Sequence, residues 1–271
     1  MIILVIKNQS KNVFSTKLIY SLVFDSIKLL SKNPSLVIPK LLIAILYGVG
    51  IILAVDLSKQ LFLFQSFTSE QIFNYDFSYF FGSAVLMLLI AILTFFIDLF
   101  FLGFYPVLIS LAEKNKFSFK RGFELFKPKM LSILYGGIIL WVLFSVFALI
   151  IDLILLYFNL STNSLILSLI LIFAFAFLFY FFYPKLVFEN VKLDKTFVNS
   201  FLISLKNKKL VFVLSLIPFL VSILKFALAY FSDFALSFAL FWVLVILTGL
   251  IYSVHAVINQ KAYEKLSKSK N

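Results

Sequence analysis

Six stretches of this chain are apolar on every side of a helix: Leu36–Val55, Ser83–Tyr105, Met130–Phe158, Ser164–Tyr183, Leu210–Phe231 and Phe234–Val257. The hydrocarbon core of a bilayer is crossed by about 20 residues of helix, so each stretch is long enough to span it. A soluble helix of that length would keep a polar outer face, and these have none. Composition closes the alternative. The 271 residues are 63% hydrophobic and 13% charged, against about 45–50% and about 25% in soluble domains. So much apolar surface excludes a water-soluble globule and a disordered chain alike. The spacing predicts an all-α, polytopic transmembrane bundle of six spans, a single integral membrane domain over 1–271. The third span is longer than a bilayer needs and is expected to tilt or project. The apolar run after Met1 is too short for the core of a cleaved signal peptide, so the first span is expected to direct targeting.

The basic residues give the orientation. They lie in Lys7–Lys40, Lys114–Lys129, Lys185–Lys209 and the Lys261–Lys270 tail; only Lys59 and Lys225 fall elsewhere. All four groups sit on one side of a six-span chain, and the lysine-rich side is the cytoplasmic one. Both termini are therefore expected to be cytoplasmic, in a multi-pass protein of the cell membrane. The outer connections are Asp56–Phe81, Asn159–Asn163 and Ser232-Asp233. The first contains Thr68-Ser69-Glu70-Gln71, a helix start of the capping-box type.

The cytoplasmic segments have a pattern of their own. Phe14, Leu18, Leu22, Ile27 and Leu30 recur at helical spacing among lysines. Phe119, Phe123 and Phe126 do the same, as do Phe197, Phe201 and Leu205. Helices of this kind lie flat at a membrane surface with the apolar face in the acyl boundary. The lysines would then meet anionic headgroups. The expected partner is the lipid bilayer, with a protein partner or a second copy left open. The net charge of +12 needs no nucleic acid to explain it.

A shift of 78 residues aligns two segments without a gap. Tyr105-Pro106, Leu108, Ile109, Lys114, Ser118-Phe119 and Gly122-Phe123 match Tyr183-Pro184, Leu186, Val187, Lys192, Thr196-Phe197 and Ser200-Phe201. Ser26 and Lys32-Asn33 match Ser200 and Lys206-Asn207 at equal spacing. The unit is an amphipathic helix, an outward span and an inward span. Three such units, approximately 13–112, 113–190 and 191–271, would be parallel repeats about an axis along the membrane normal.

An amphipathic helix ending in Lys32-Asn33-Pro34 before a span resembles a family of poorly characterised six-helix membrane proteins. So does Tyr183-Pro184-Lys185-Leu186-Val187-Phe188-Glu189, followed by a Ser200-containing helix ending in Lys206-Asn207. That family is related to the membrane domain of bacterial glycerophosphodiester phosphodiesterases. The resemblance implies a six-helix bundle of unknown function. The chain lacks the hydrolase domain, so phosphodiesterase activity does not carry over, and no catalytic residue is transferred.

Charges inside the bilayer are the candidate functional or structural residues, because each costs at least about 2.5–3.5 kcal/mol to insert. Asp98 is the deepest. It either accepts hydrogen bonds from neighbouring helices or binds a cation or proton. Its equivalent in the next unit is Ala176. Asp152 and Lys225 lie at equal depth in two outward spans, six residues before Phe158 and Phe231, and either pair or separately reach the interface. His255 lies near the cytoplasmic end of the last span, as a tolerated polar residue or a proton relay. Glu113 and Glu189 are expected to be solvated or paired with local lysines. Tyr105-Pro106 and Tyr183-Pro184 should terminate spans, Pro218 should kink one, and Gly48, Gly50, Gly136 and Gly137 should let helices approach closely. Cysteine is absent and His255 is the only histidine, so no thiolate or multi-histidine metal site is expected. Neither a phosphate-binding glycine loop nor a nucleophile motif occurs. No cofactor is implied. The chemistry points to a non-enzymatic, membrane-organising bundle or to a small transporter using Asp98 and an Asp152–Lys225 pair.

Overall fold

A computed structural model of the chain describes residues 16–65, 67–68, 77–157, 164–189, 192–230 and 235–268. Among these residues there are helices and turns and no strand. In chain order the helices are α1 (Thr16–Lys32), α2 (Val37–Gln65), α3 (Ser78–Glu113), α4 (Phe119–Phe126), α5 (Met130–Tyr157), α6 (Ser164–Leu178), α7 (Phe182–Phe188), α8 (Leu193–Lys206), α9 (Lys208–Tyr230) and α10 (Ala235–Lys268). Single 3-10 turns, Pro34–Leu36 and Lys127–Lys129, lead into α2 and α5.

Four of the described helices are long and apolar enough to cross a membrane. They run within Pro34–Phe64, Ser78–Glu113, Phe119–Ile151 and Phe238–Ser267, and Phe173–Phe188 is a shorter apolar segment. Leu86, Leu89, Leu93 and Phe96 on α3 and Leu131, Trp141, Leu149 and Leu153 on α5 are all exposed. Apolar surface on that scale is stable only against lipid. The chain is an all-helical membrane protein. Helix α9 lies where the sequence predicts a fifth span, and α6 with α7 where it predicts a fourth.

Two compact units share the chain. One joins the N-terminal part through Asn33 with Leu102–Phe219 and the chain from Val254 onward. Its core packs Leu22 of α1, Tyr180 and Phe181, Ile203 of α8, Leu210, Val211 and Leu214 of α9, and Ile258, Ala262, Tyr263 and Leu266 of α10. The other joins Pro34–Phe101 with Leu220–Ser253. There Ala44 of α2 meets Phe241 and Val245 of α10, flanked by Ile51, Ile52, Val55 and Trp242.

The turn between α3 and α4 shows how local chemistry sets a junction. Asn115 adopts a left-handed φ of 53°, which asparagine tolerates better than most residues. The Lys116 N–H then reaches the Leu111 carbonyl at 2.9 Å and the Asn115 N–H reaches Ala112 at 3.0 Å. This double bond pattern closes a helix C-terminus. Ser118 starts α4 by accepting the Arg121 N–H. Gly122 then lets α4 lie directly on α3, for a Cβ there would fall 2.7 Å from Leu108.

Several expectations need correction. Helix α3 does not end at Tyr105-Pro106 but continues to Glu113 with Pro106 inside it. Phe104, Tyr105, Leu108 and Ile109 are all buried, and that packing holds the helical path through the proline. The break before Tyr183-Pro184 falls earlier, between α6 and α7, and Pro184 sits inside α7. The first outer connection is shorter than expected, since α2 extends to Gln65 and α3 starts at Ser78; Glu70 and Gln71 lie outside the described residues. Helix α1 buries Leu22, Ser26, Leu29 and Leu30 but exposes Ile27, so its apolar residues form two faces rather than one.

Close helix approach depends on fewer expected glycines than the sequence suggests. Gly48 and Gly136 are crowded, by Val245 and by Phe182, but Gly50 meets only Ile90 at 3.9 Å. The tightest contact with backbone is at Gly249, where a Cβ would lie 2.8 Å from the Leu41 Cα. Main chain cannot rotate away as a side chain can. Gly249→Ala should therefore destabilise the protein by about 1–3 kcal/mol, while Gly50→Ala should be neutral. Thermal unfolding of the two variants in detergent checks the contrast.

Candidate functional site

The deepest acid predicted from sequence has partners. Asp98 of α3 accepts from Lys40 Nζ at 3.4 Å through Oδ1 and from Tyr47 OH at 3.3 Å through Oδ2. Lys40 and Tyr47 lie seven residues apart on α2, two helical turns, and so on one face. One carboxylate thus bridges two turns of the neighbouring helix. The Lys40 side chain is 9% exposed and that of Asp98 24%, so neither charge is fully solvated. Thr94, one turn before Asp98 on the same face, is buried with its hydroxyl unpaired. At the far end of α2, Asp56 Oδ2 accepts from Gln60 at 2.8 Å and from Tyr79 at 3.4 Å.

Sequence reasoning counted Lys40 among the cytoplasmic lysines and missed its role. A signal was present. Lys40 lies inside an apolar run, where a lysine needs a counter-charge, and Asp98 lies at a comparable depth in the next span.

A second polar cluster lines the break between α6 and α7. Pro184 has no N–H, so the carbonyl four residues earlier, that of Tyr180, has no helical donor. Asn259 Nδ2 supplies one at 2.7 Å. His255, one turn before Asn259 on α10, joins its Nε2 to the Tyr180 hydroxyl at 3.0 Å. Tyr263, one turn after Asn259, donates to Glu189, which also accepts from Lys185. Lys129 donates to the Val187 carbonyl. Three residues at i, i+4 and i+8 of one helix face therefore serve polar atoms at the two ends of α7. His255 has a structural partner there. Glu189 pairs with a local lysine as expected; Glu113 pairs instead with Lys261, 3.3 Å away and remote in sequence.

The side chains of Asp152 and Lys225 lie outside the described residues. Among the described residues, no three His, Asp or Glu side chains gather where a metal ion could be held. The two clusters supply ion pairing and backbone satisfaction.

Both clusters can be tested by coupling. Asp98→Asn or Lys40→Met alone strands one charge and should cost about 3–5 kcal/mol, and the double change should cost less than the sum. Strict additivity would refute the pair. Asn259→Leu leaves the Tyr180 carbonyl unsatisfied and should cost about 1–3 kcal/mol. Adding Pro184→Ala restores an N–H four residues on and should recover part of that loss, read again as thermal stability in detergent.

Comparison with known protein families, with curated proteins and with solved structures finds no match for this chain.

Proposed function

We propose that this is a six-span protein of the cell membrane with both termini in the cytoplasm. Its role is non-enzymatic: a bundle that organises the membrane or an assembly, with cytoplasmic lysines holding anionic headgroups. Three parallel two-span repeats build it, related to the six-helix family named above. The observation that carries the reading is the shared register of α1, α4 and α8. Ser26, Gly122 and Ser200 occupy one repeat position and are all buried, while Ile27, Phe123 and Phe201 occupy the next and are all exposed. Asn33 and Asn207, also equivalent, each donate through Nδ2 to the carbonyl four residues earlier, at 3.2 and 2.9 Å. Burial, exposure and a terminal hydrogen bond at matching positions support the repeat. The lysines beside these helices each add about 1 kcal/mol of attraction to an anionic surface.

A second reading, a small transporter or permease-like subunit, draws on the Lys40–Asp98–Tyr47 group. An ion pair kept in an apolar region at a cost in desolvation is a frequent mark of a transport path, and an Asp152–Lys225 pair would extend it. The first reading is preferred because the charged and amide groups of both clusters bind within the protein, Asp98 to Lys40 and Tyr47 and Asn259 to a backbone carbonyl.

Topology is the direct test. Single cysteines at Lys11, Ser161 and Ser269 are exposed to an impermeant thiol reagent on intact cells. Only the Ser161→Cys protein should label, and labelling at either terminus would overturn the reading.

A further inference from the structure

Helices α1 and α8 carry three sectors, where an amphipathic helix needs two. On α1, Leu22, Ser26, Leu29 and Leu30 are buried against the protein. Tyr20, Phe24 and Ile27, spaced four and three, form a second apolar stripe that is 79%, 69% and 52% exposed. Lys17, Lys28 and Lys32 fill the sector between that stripe and the buried face. On α8 the buried sector is Thr196, Ser200, Ile203 and Ser204. Its exposed stripe is Val198, Phe201 and Leu205, with Lys195 and Lys206 beside it. The shorter α4 exposes Phe119 and Phe123 while Gly122 and Phe126 are buried.

A helix in water has no use for two apolar faces and one charged one. A helix lying in a membrane surface has three neighbours: protein on one flank, acyl chains on the other, and headgroups above. In both helices the lysine sector adjoins the exposed stripe, as acyl contact beneath a layer of anionic phosphate requires. The occupant of the stripes is thus lipid.

We propose that α1, α4 and α8 form a wedge in the cytoplasmic leaflet alone, so that the protein concentrates where the cytoplasmic face of the membrane is convex. This rests on the six-span reading, which puts two spans between successive amphipathic helices and returns each to the same side. At about 1.5 Å per residue and roughly 10 Å in width, the three helices occupy on the order of 600 Å² of one leaflet. In that reading the outer connections between α2 and α3, α5 and α6, and α9 and α10 are 12, six and four residues long, 22 in all, against 39 residues in α1, α4 and α8. The resulting area difference between leaflets is relieved when the occupied leaflet is the outer one of a curved membrane.

The test uses the full-length protein, fluorescently labelled, in giant vesicles of phosphatidylcholine and phosphatidylserine from which a narrow tube is drawn. Vesicles are sorted by whether labels at Lys11→Cys and Ser269→Cys are quenched from outside. With both termini outside, the protein should be enriched about twofold or more in the tube. With both inside, it should be depleted from the tube by a similar factor. Combined Phe24→Ser, Phe123→Ser and Val198→Ser should abolish both effects without lowering the thermal midpoint, since all three side chains are exposed. Absence of sorting, or sorting of one sign in both orientations, overturns the wedge. So does efficient cross-linking between copies through Phe24→Cys, which would give the stripe to a second copy. Labels quenched from opposite sides would instead overturn the six-span reading beneath it.

Discussion

Lipid offers no hydrogen bonds, and that constraint governs the polar groups that the apolar helices of this protein carry inward. A helix interior satisfies its own backbone, so long apolar helices are stable there at no polar cost. Trouble arises only where the helix is interrupted or a charge is carried inward. At the first kind of place, the proline after Tyr180 strips a carbonyl of its donor, and a side chain of α10 replaces it. At the second, the Asp98 carboxylate is met by a lysine and a tyrosine hydroxyl. Ser26, Thr248 and Ser253 are handled more simply, each donating to a carbonyl four residues back in its own helix. That local solution spares them a partner on another element.

The apolar spans were legible because a bilayer imposes a length and a composition, and both are written directly in the residues. Helix α3 overran its expected end because proline's effect on the residue before it is local and worth little against four buried neighbours. The Lys40–Asp98 pair escaped notice for a different reason. Charge counting along the chain records the side of the membrane on which a lysine starts, but not where its long side chain ends. On α1 the apolar residues recur at helical spacing, yet periodicity cannot say which of two neighbours, protein or lipid, an apolar residue meets. Leu22 turned to the protein and Ile27 outward. Close approach is as expected at Gly48 and Gly136 but not at Gly50; Gly50 and Gly249 look alike in sequence, and only the helix opposite tells them apart.

The polar clusters and the amphipathic helices divide the work. His255, Asn259 and Tyr263 hold a helix break whose neighbours include the packed ends of α8 and α9. The amphipathic helices α1, α4 and α8 bury small residues against the protein. Small side chains at Ser26, Gly122 and Ser200 bring the helix axis close, and the large residues are left for the opposite flank. The same choice of residue size therefore packs the protein and leaves large apolar side chains on its surface.

One carboxylate gripping α2 at points two turns apart fixes how far that helix is rolled about its own axis. Leucine, isoleucine and valine packing specifies roll only weakly, because these side chains are close in shape and present similar surfaces all round. Lys40, Tyr47 and Asp98 act as an index mark for an otherwise featureless rod. With the roll set by three side chains, the surrounding aliphatic positions are free to exchange among themselves. A chain built largely from interchangeable apolar residues can then drift widely in sequence while keeping one arrangement, with its tolerance to substitution split between a few rigid positions and many permissive ones.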